Sequence, residues 1–164
     1  MTAAKIFLHV VSTVAVLFAG TVVRADPFYG GGNIGLTKLT NCDKDCTGTG
    51  FNALIGYRIT PYLSTEVSYA KLGNFSGGSA NSRGVALVSY WPIIGDLSAM
   101  GRVGANKTEF TRDGTTTDSN EYSLGIGATY PIGPGVSLRA QWEYFLINKQ
   151  YSSRPLTVGA VWSF

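Results

Sequence analysis

The sequence predicts an all-β protein, a single eight-stranded antiparallel up-and-down β-barrel that crosses a membrane. Three observations predict this fold class. From residue 26 onward the chain contains about eight segments of roughly ten residues in which apolar side chains alternate with small or polar ones, and this is the length that a tilted strand needs to cross a bilayer. The connections between the segments alternate between tight turns and longer polar loops. Only 14% of the residues are charged, whereas soluble domains have about 25%.

The first 25 residues predict a secretory signal peptide that is removed, which leaves residues 26–164 as the barrel domain. Lys5 supplies the positive start, residues 6–20 form the apolar stretch, and residues 23–25 offer a small-residue cleavage site. A retained membrane helix over the same stretch is the alternative. Removal of the signal peptide also takes away His9, the only histidine of the chain.

The seventh segment, "VSLRAQWEYFLIN", shows the alternation most clearly. Leu138 and Trp142 share one face of a strand, and Arg139 and Glu143 share the other. In a soluble sandwich the apolar face would form the core, whereas in a membrane barrel it faces lipid and the charged face lines the interior. The fourth segment, "RGVALVSYW", fits either register. The predicted strands cover residues 27–38, 50–59, 62–72, 82–91, 96–108, 120–130, 135–147 and 155–164.

The connections are of two kinds. Three are tight and contain proline: "YRITPYLS", "YWPIIGDLS" and "TYPIGPGVS". Their recurrence predicts a hairpin repeat with Tyr57, Tyr90 and Tyr130 in equivalent places. Short turns at one end and long loops at the other are typical of an outer-membrane barrel, and a soluble Greek-key sandwich has no reason to sort its loops in this way. The longer, polar connections cover residues 39–49, 73–81, 109–119 and 148–154.

The two faces of the predicted strands differ consistently in composition. In the last strand, Val158 and Trp162 share one side, and Thr157 and Gly159 share the other. Glycine and serine cannot fill a hydrophobic core, but they fit the narrow lumen of a small barrel beside larger polar side chains. The sequence therefore predicts that lipid contacts the apolar face.

Composition also excludes several classes of function. The net charge of +3 is small, and no run of Lys and Arg is present, so a nucleic-acid partner is not expected. The mature chain lacks histidine, on which the outer-membrane barrel enzymes rely, so an enzyme is not expected. Two cysteines without histidine are too few ligands for a metal, and no cofactor is expected.

These segments resemble the eight-stranded transmembrane domain of OmpA-type outer-membrane proteins, over essentially all of the mature chain. The resemblance implies the outer membrane of a Gram-negative-type cell, with both termini in the periplasm and four loops outside. Trp162 and the C-terminal Phe164 resemble the signal read by the barrel assembly machinery, which implies a transient assembly partner. The chain resembles the short, barrel-only members, some of which are implicated in adhesion or in resistance to host defences. The matching pieces are "FYGGGNIGLTK", "IGYRITPYLSTEVSYAKLG", "GRVGA", "GATYPIGPGVSLRAQWEYF" and "LTVGAVWSF".

Five charged residues fall on the predicted inward face: Glu66, Arg102, Arg139 and Glu143, with Arg58 nearer the periplasmic end. Charged groups away from bulk water must be paired or hydrated, so we expect a Glu–Arg network. Its simpler role is to fill a lumen too narrow for open water, and this plug is favoured. The alternative role is a gate that admits ions when the pairs exchange.

The resemblance bears on these two roles. Glu66 and Arg139 match the family's lumen pair on the third and seventh strands, and Arg102 matches an arginine on the fifth. The family's second lumen pair would fall at Val88 and Thr129, and neither residue is ionisable. The resemblance therefore does not extend to an inherited gating mechanism.

The first long loop contains Cys42 and Cys46, which predict a disulfide because the protein is exported. A bridge there closes a small ring and would restrain the tip of the loop more than it stabilises the fold. Two independent thiols are the alternative.

Basic residues gather near the predicted outer strand ends. They could meet phosphates of lipopolysaccharide, or they could be ordinary solvated charges and lysines that extend from the barrel rim. They are Lys38, Lys71, Lys107 and Lys149, with Arg83, Arg112 and Arg154 nearby.

The sequence therefore predicts an integral outer-membrane barrel with a structural and surface-contact role, in adhesion or envelope integrity, through four extracellular loops. A narrow ion or small-solute channel with a lumen lined by Glu and Arg is the alternative. A soluble exported barrel that binds a small apolar ligand is a third, less favoured hypothesis. The expected partners are outer-membrane lipids, including lipopolysaccharide, and a surface ligand that no loop motif identifies, and the barrel is expected to be a monomer.

Overall fold

The chain forms eight strands in the computed structural model, which describes residues 27–39, 47–75, 78–112, 115–146 and 153–164. The predicted signal peptide and the loop with both cysteines lie outside the described residues. No described helix is long and apolar enough to cross a bilayer. The strands are β1 (Phe28–Leu39), β2 (Thr47–Thr60), β3 (Leu63–Phe75), β4 (Gly78–Ile94), β5 (Leu97–Arg112), β6 (Thr115–Gly133), β7 (Val136–Leu146) and β8 (Ser153–Ser163).

The sheet closes on itself. Every strand pairs antiparallel with the next one along the chain, and β1 also pairs with β8, from Tyr29 opposite Ser163 to Leu39 opposite Ser153. Closure matters physically because an open strand edge would leave backbone amides and carbonyls without partners. The predicted eight-stranded antiparallel up-and-down barrel is therefore confirmed.

The two faces of the sheet are sorted as the alternation predicts. On β7, Leu138 and Trp142 are exposed on the outside, while Arg139 and Glu143 are buried inside. Large apolar side chains are exposed on all eight strands, and together they form a continuous belt around the barrel. Soluble monomers rarely expose an apolar patch of more than a few hundred Å², so this belt is a surface for lipid.

The ambiguous strand, β4, adopts one register. Val85 and Leu87 face outward, whereas Ala86 and Val88 are buried inside. Because side chains alternate, the residue two places after Val88 also faces the lumen, and that residue is Tyr90. The predicted equivalence of Tyr57, Tyr90 and Tyr130 is therefore wrong for Tyr90. Tyr57 and Tyr130 are exposed in the belt, and Trp91 takes the corresponding outward place on β4.

The three tight turns lie where the sequence predicts them, at residues 61–62, 95–96 and 134–135. Gly95 and Gly135 adopt φ angles of 55° and 71°, which a side chain would disfavour. All three turns are at the end of the barrel where β1 starts and β8 finishes.

At the opposite end, the structure corrects two of the predicted loops. β5 runs to Arg112 and β6 begins at Thr115, so most of the predicted loop 109–119 is a paired hairpin, and most of 73–81 is likewise strand. The polar composition that suggested loops is compatible with a ladder in water, because strand preference depends on the surroundings of each side chain. We call the three paired segments 78–83, 107–112 and 115–120 the outer extension.

The outer extension is held on both faces. On its outer face, Arg83 pairs with Glu109 at 2.8 Å, and Lys107 pairs with Asp118 at 2.6 Å. On its inner face, buried Ala80 packs with Ala70 and Leu72 of β3, and Phe110 lies against this cluster.

Candidate functional site

The centre of the lumen contains a connected group of ion pairs. Arg139 of β7 reaches Glu66 of β3, with Nη1 2.5 Å from Oε1 and Nη2 3.2 Å from Oε2. Arg102 of β5 lies 3.5 Å from the same carboxylate through its Nε, and its Nη1 donates to Oε1 of Glu143. The structure thus joins four of the sequence-predicted residues into one group, which we call the lumen network: Glu66, Arg102, Arg139 and Glu143.

The lumen network is balanced in charge and largely satisfied in hydrogen bonding. Each of its four residues is at most 4% exposed, and two carboxylates face two guanidinium groups. Arg102 also donates to the hydroxyls of Ser68 and Ser123 at 3.1 and 3.3 Å. Such balance is necessary because a buried charge without a partner costs several kcal/mol, roughly 3–5 when one partner is removed.

Gln141 completes the β7 side of the lumen network. Its Oε1 accepts from Nε of Arg139 at 2.8 Å, and its Nε2 donates to Oε2 of Glu143 at 3.1 Å. One amide therefore connects a donor and an acceptor that would otherwise compete for other partners. Three inward residues of β7, two places apart, act as a single unit.

Tyr29 of β1 closes the network toward the turn end. Its hydroxyl donates to Oε1 of Glu66 at 2.8 Å and lies 2.8 Å from the Ser64 hydroxyl and 3.3 Å from that of Tyr90. Arg58, the fifth predicted lumen residue, is placed with its Cζ 5.2 Å from the centre of the Tyr29 ring. The structure therefore places Arg58 beside the lumen network through a cation–π contact with Tyr29.

Sequence reasoning did not assign Tyr29, Gln141 or Tyr90 to this site. Period-two alternation places Tyr29 inward, because Phe28 and Ile34 face outward on the same strand. Alternation alone does not reveal that the tyrosine hydroxyl reaches a carboxylate two strands away, since that depends on the depth of each residue in the closed barrel.

Glycines on the even-numbered strands make room for the long side chains of the odd-numbered ones. A Cβ at Gly56 of β2 would lie 2.1 Å from Cζ of Tyr29, much closer than van der Waals contact allows. A Cβ at Gly125 of β6 would lie 3.0 Å from Cγ of Glu143 and 3.4 Å from Cβ of Arg102. The small residues on the inward face are therefore the seats of the lumen side chains, as a narrow barrel requires.

Side chains also fill the lumen above and below the lumen network. Toward the turn end, Val88 and Met100 are buried with Tyr29. Toward the other end, Phe145 is buried beside a cavity of about 10 Å³ that Asn52, Glu143 and Thr157 also line. That volume is about the size of one water molecule, and Asn52 Oδ1 and Thr157 Oγ1 face no hydrogen-bond partner among the described residues. This cavity therefore has room for about one water molecule.

The other predicted site residues lie apart from the lumen. Trp162 and Phe164 are exposed with ring centres 5.8 Å apart, and the backbone N–H of Phe164 donates to the carbonyl of Phe28 at 3.0 Å. The last residue thus joins the start of β1, and its role as an assembly signal stays a prediction. Cys42 and Cys46 lie outside the described residues. Within the described part of the chain, no three His, Cys, Asp or Glu side chains are grouped to hold a metal.

Comparison with known proteins gives one family and several similar structures. The family model for the outer membrane protein beta-barrel domain matches residues 9–164. Neisserial surface protein A is 21% identical with a TM-score of 0.67, and the match covers 85% of this chain and 99% of that one. No curated protein matches the sequence.

Two further structures share the architecture. Ail, the attachment invasion locus protein of Yersinia pestis, is 16% identical with a TM-score of 0.60, covering 85% of this chain and 99% of that one. The N-terminal barrel domain of Pseudomonas aeruginosa OprF is 12% identical with a TM-score of 0.67, covering 86% of this chain and 100% of that one. Likeness at these identities shows the fold.

Proposed function

Because the chain belongs to the family of outer membrane protein beta-barrel domains, we propose that it is a barrel with a closed lumen that acts at the cell surface. Its role is structural and in surface contact, serving adhesion or envelope integrity through the loops and the outer extension. The end with the tight turns and both termini of the barrel faces the periplasm, and the outer extension faces outward.

The single observation that carries this proposal is the filled lumen. The lumen network connects opposite walls of the barrel, with Glu66 and Arg139 each only 2% exposed, and buried side chains lie on both sides of it. Eight strands enclose an interior just wide enough for such side chains. A barrel without a path through its centre supports function on its outer surface.

The outer extension supplies that surface. Its strands continue beyond the apolar belt, and the pairs Arg83–Glu109 and Lys107–Asp118 lie exposed on one face. A paired ladder presents side chains with less ordering cost on binding than a flexible loop does. The similar structure of Ail is described as that of an attachment invasion locus protein, and attachment is the activity that we propose here.

The test is adherence of cells that display the barrel in their outer membrane. In the test variant, residues 109–118 are replaced by Asn-Gly, which shortens the β5–β6 hairpin in register because Thr108 faces Ser119. We expect adherence to fall to the level of cells without the barrel, while the heat-dependent gel mobility of the folded barrel persists. Tyr122→Phe, which leaves both the outer extension and the lumen network intact, is the matched control and keeps adherence. Adherence that survives the shortened hairpin contradicts the proposal.

A second candidate, a narrow channel, is favoured by one observation. Arg102 contacts both Glu66 and Glu143, so it has two carboxylates between which its ion pair can exchange. Single-channel conductance of the refolded barrel in a planar bilayer, beside Glu66→Ala, separates the candidates. A wild-type barrel that shows no conductance supports the closed lumen, provided that protease protection shows it to be inserted in the bilayer. Discrete openings that change with Glu66→Ala would place the channel first.

A further inference from the structure

Two cations face each other at the outer rim where the barrel closes. Lys38 of β1 and Arg154 of β8 are direct cross-strand partners, and both side chains are exposed on the outward face. Like charges directly opposite each other in a ladder are destabilising. No carboxylate of the described residues lies within 4.0 Å of either cation. This arrangement therefore favours an anion that is not part of the described chain.

The other side of the barrel shows what a compensated pair looks like. Arg83 of β4 and Lys107 of β5 are also direct cross-strand partners on the outward face. Each of them has its own carboxylate, Glu109 at 2.8 Å from Arg83 and Asp118 at 2.6 Å from Lys107. The same geometry thus occurs twice, once neutralised by two carboxylates and once without a carboxylate partner among the described residues.

The surroundings of the open pair indicate what kind of anion fits. The next outward row below it consists of Leu36 and Leu156, which are 59% and 57% exposed and belong to the apolar belt. On the neighbouring strand, the ring of Tyr144 lies 5.4 Å from Cζ of Arg154. The two cations therefore lie at the boundary between lipid and water, where lipid headgroups are found.

We propose that Lys38 and Arg154 bind the phosphate of an anionic lipid in the outer leaflet, with its acyl chains along Leu36 and Leu156. The guanidinium group offers a planar fork that matches phosphate oxygens, and the ammonium group adds a second charge. A free phosphate ion would contact the two cations but would make no use of the apolar side chains of Leu36 and Leu156, so the site fits a lipid. This inference rests on the proposed outward direction of the strand ends, and it assigns a lipid partner to that rim.

The experiment is native mass spectrometry of the mature barrel in a neutral detergent, titrated with bis-phosphorylated lipid A. Lys38→Gln/Arg154→Gln is compared with Arg83→Gln/Lys107→Gln, which removes the same charge from the compensated pair. We expect the first variant to bind lipid A roughly 10- to 30-fold more weakly, since each basic residue contributes about fivefold at a lipid surface. The control pair stays within about threefold of wild type.

Two further arms identify the ligand. Dephosphorylated lipid A binds wild type as weakly as phosphorylated lipid A binds the first variant, and inorganic phosphate at ten times the lipid concentration leaves the lipid bound. Equal losses in both double variants, equal binding of dephosphorylated lipid, or displacement by inorganic phosphate would each overturn the inference. Displacement by inorganic phosphate would mean that the two cations bind a free anion.

Folding is checked by the heat-dependent gel mobility of each variant. If Lys38→Gln/Arg154→Gln does not fold, the single variant Lys38→Gln replaces it in the binding assay, with an expected loss of about fivefold in affinity for lipid A. The assay is independent of adherence and conductance. If the barrel mediates adherence and does not conduct, but its lipid binding does not depend on phosphate, this inference alone is overturned. If the barrel conducts ions and also binds lipid A, only the closed lumen is overturned.

Discussion

Arg139 contacts Glu66 across the full width of the barrel, with Nη1 2.5 Å from Oε1 and Nη2 3.2 Å from Oε2. Their strands, β7 and β3, are four places apart in a closed ring of eight, so this one ion pair joins opposite walls. The Glu66 carboxylate also accepts from Tyr29 of β1 and lies 3.5 Å from Arg102 of β5. It is therefore the point where all four odd-numbered strands meet.

Neutralising this shared carboxylate should destabilise the barrel strongly. Glu66→Gln leaves two buried guanidinium groups with one carboxylate between them, so we expect a loss of about 3–5 kcal/mol in the free energy of unfolding. The measurement is urea unfolding of the barrel in lipid vesicles, followed by tryptophan fluorescence. Glu109→Gln is the matched control, because its pair with Arg83 is exposed and contributes only about 0–1 kcal/mol. Similar small losses in both variants would mean that the lumen network does not hold the barrel together.

The double variant Glu66→Gln/Arg139→Gln tests whether the two side chains act as a pair. With both charges removed, the double variant should lose less stability than the sum of the single variants, by about 1–3 kcal/mol. Simple additivity in the same unfolding assay would show that the two residues contribute independently.

Removing the Tyr29 hydroxyl should weaken the turn end of the lumen. Tyr29→Phe deletes the bonds to Glu66 and Ser64, both 2.8 Å, so we expect a loss of about 1–3 kcal/mol, because one acceptor is a buried charge. Tyr122→Phe is the control, since Tyr122 is 70% exposed in the belt and should change stability by less than about 0.5 kcal/mol. An equal response of the two tyrosines in thermal unfolding would contradict the buried hydrogen bonds.

The glycine seats predict a contrast between two alanine variants. Gly56→Ala places a Cβ 2.1 Å from the Tyr29 ring and should cost about 1–3 kcal/mol, because the ring must move. Gly32→Ala faces outward, where the nearest heavy atom would be 3.5 Å away, so it should be close to neutral. Both are measured by urea unfolding. If Gly56→Ala leaves the free energy of unfolding unchanged, the Tyr29 ring does not fill the space beside Gly56.

The apolar belt predicts a dependence on depth in the membrane. Ile126→Arg on β6 places a charge among lipid-facing side chains and should cost about 2–4 kcal/mol in vesicles. Thr116→Arg, on the same strand and in the outer extension, should cost no more than about 0.5 kcal/mol because water surrounds it. If the two arginines have the same effect, the belt does not contact lipid.

The alternation of side chains was enough to predict the strands, because it is local. Leu138 and Trp142 alternate with Arg139 and Glu143 whatever the rest of the chain does, and two of the three tight turns contain a glycine with a positive φ, Gly95 or Gly135. Polar composition does not by itself indicate a loop. The polar residues 109–112 and 115–119 pair as strands because ladder hydrogen bonds and exposed ion pairs, such as Lys107–Asp118, compensate for the missing apolar face. Tyr90 was misplaced for a related reason, since a sequence repeat does not record which face the strand register selects.

The sequence by itself determined the fold class, the two faces of every strand except β4 and five of the charged residues that line the interior, since these follow from a period of two. The closed barrel decided which of those charges meet. Glu66 and Arg139 are 73 residues apart, and Lys38 and Arg154 become neighbours only where β1 closes against β8. Partners across a ring depend on the register and depth of every strand between them, and those quantities belong to the whole sheet. Tertiary structure alone therefore placed the lumen network and the cation pair at the rim.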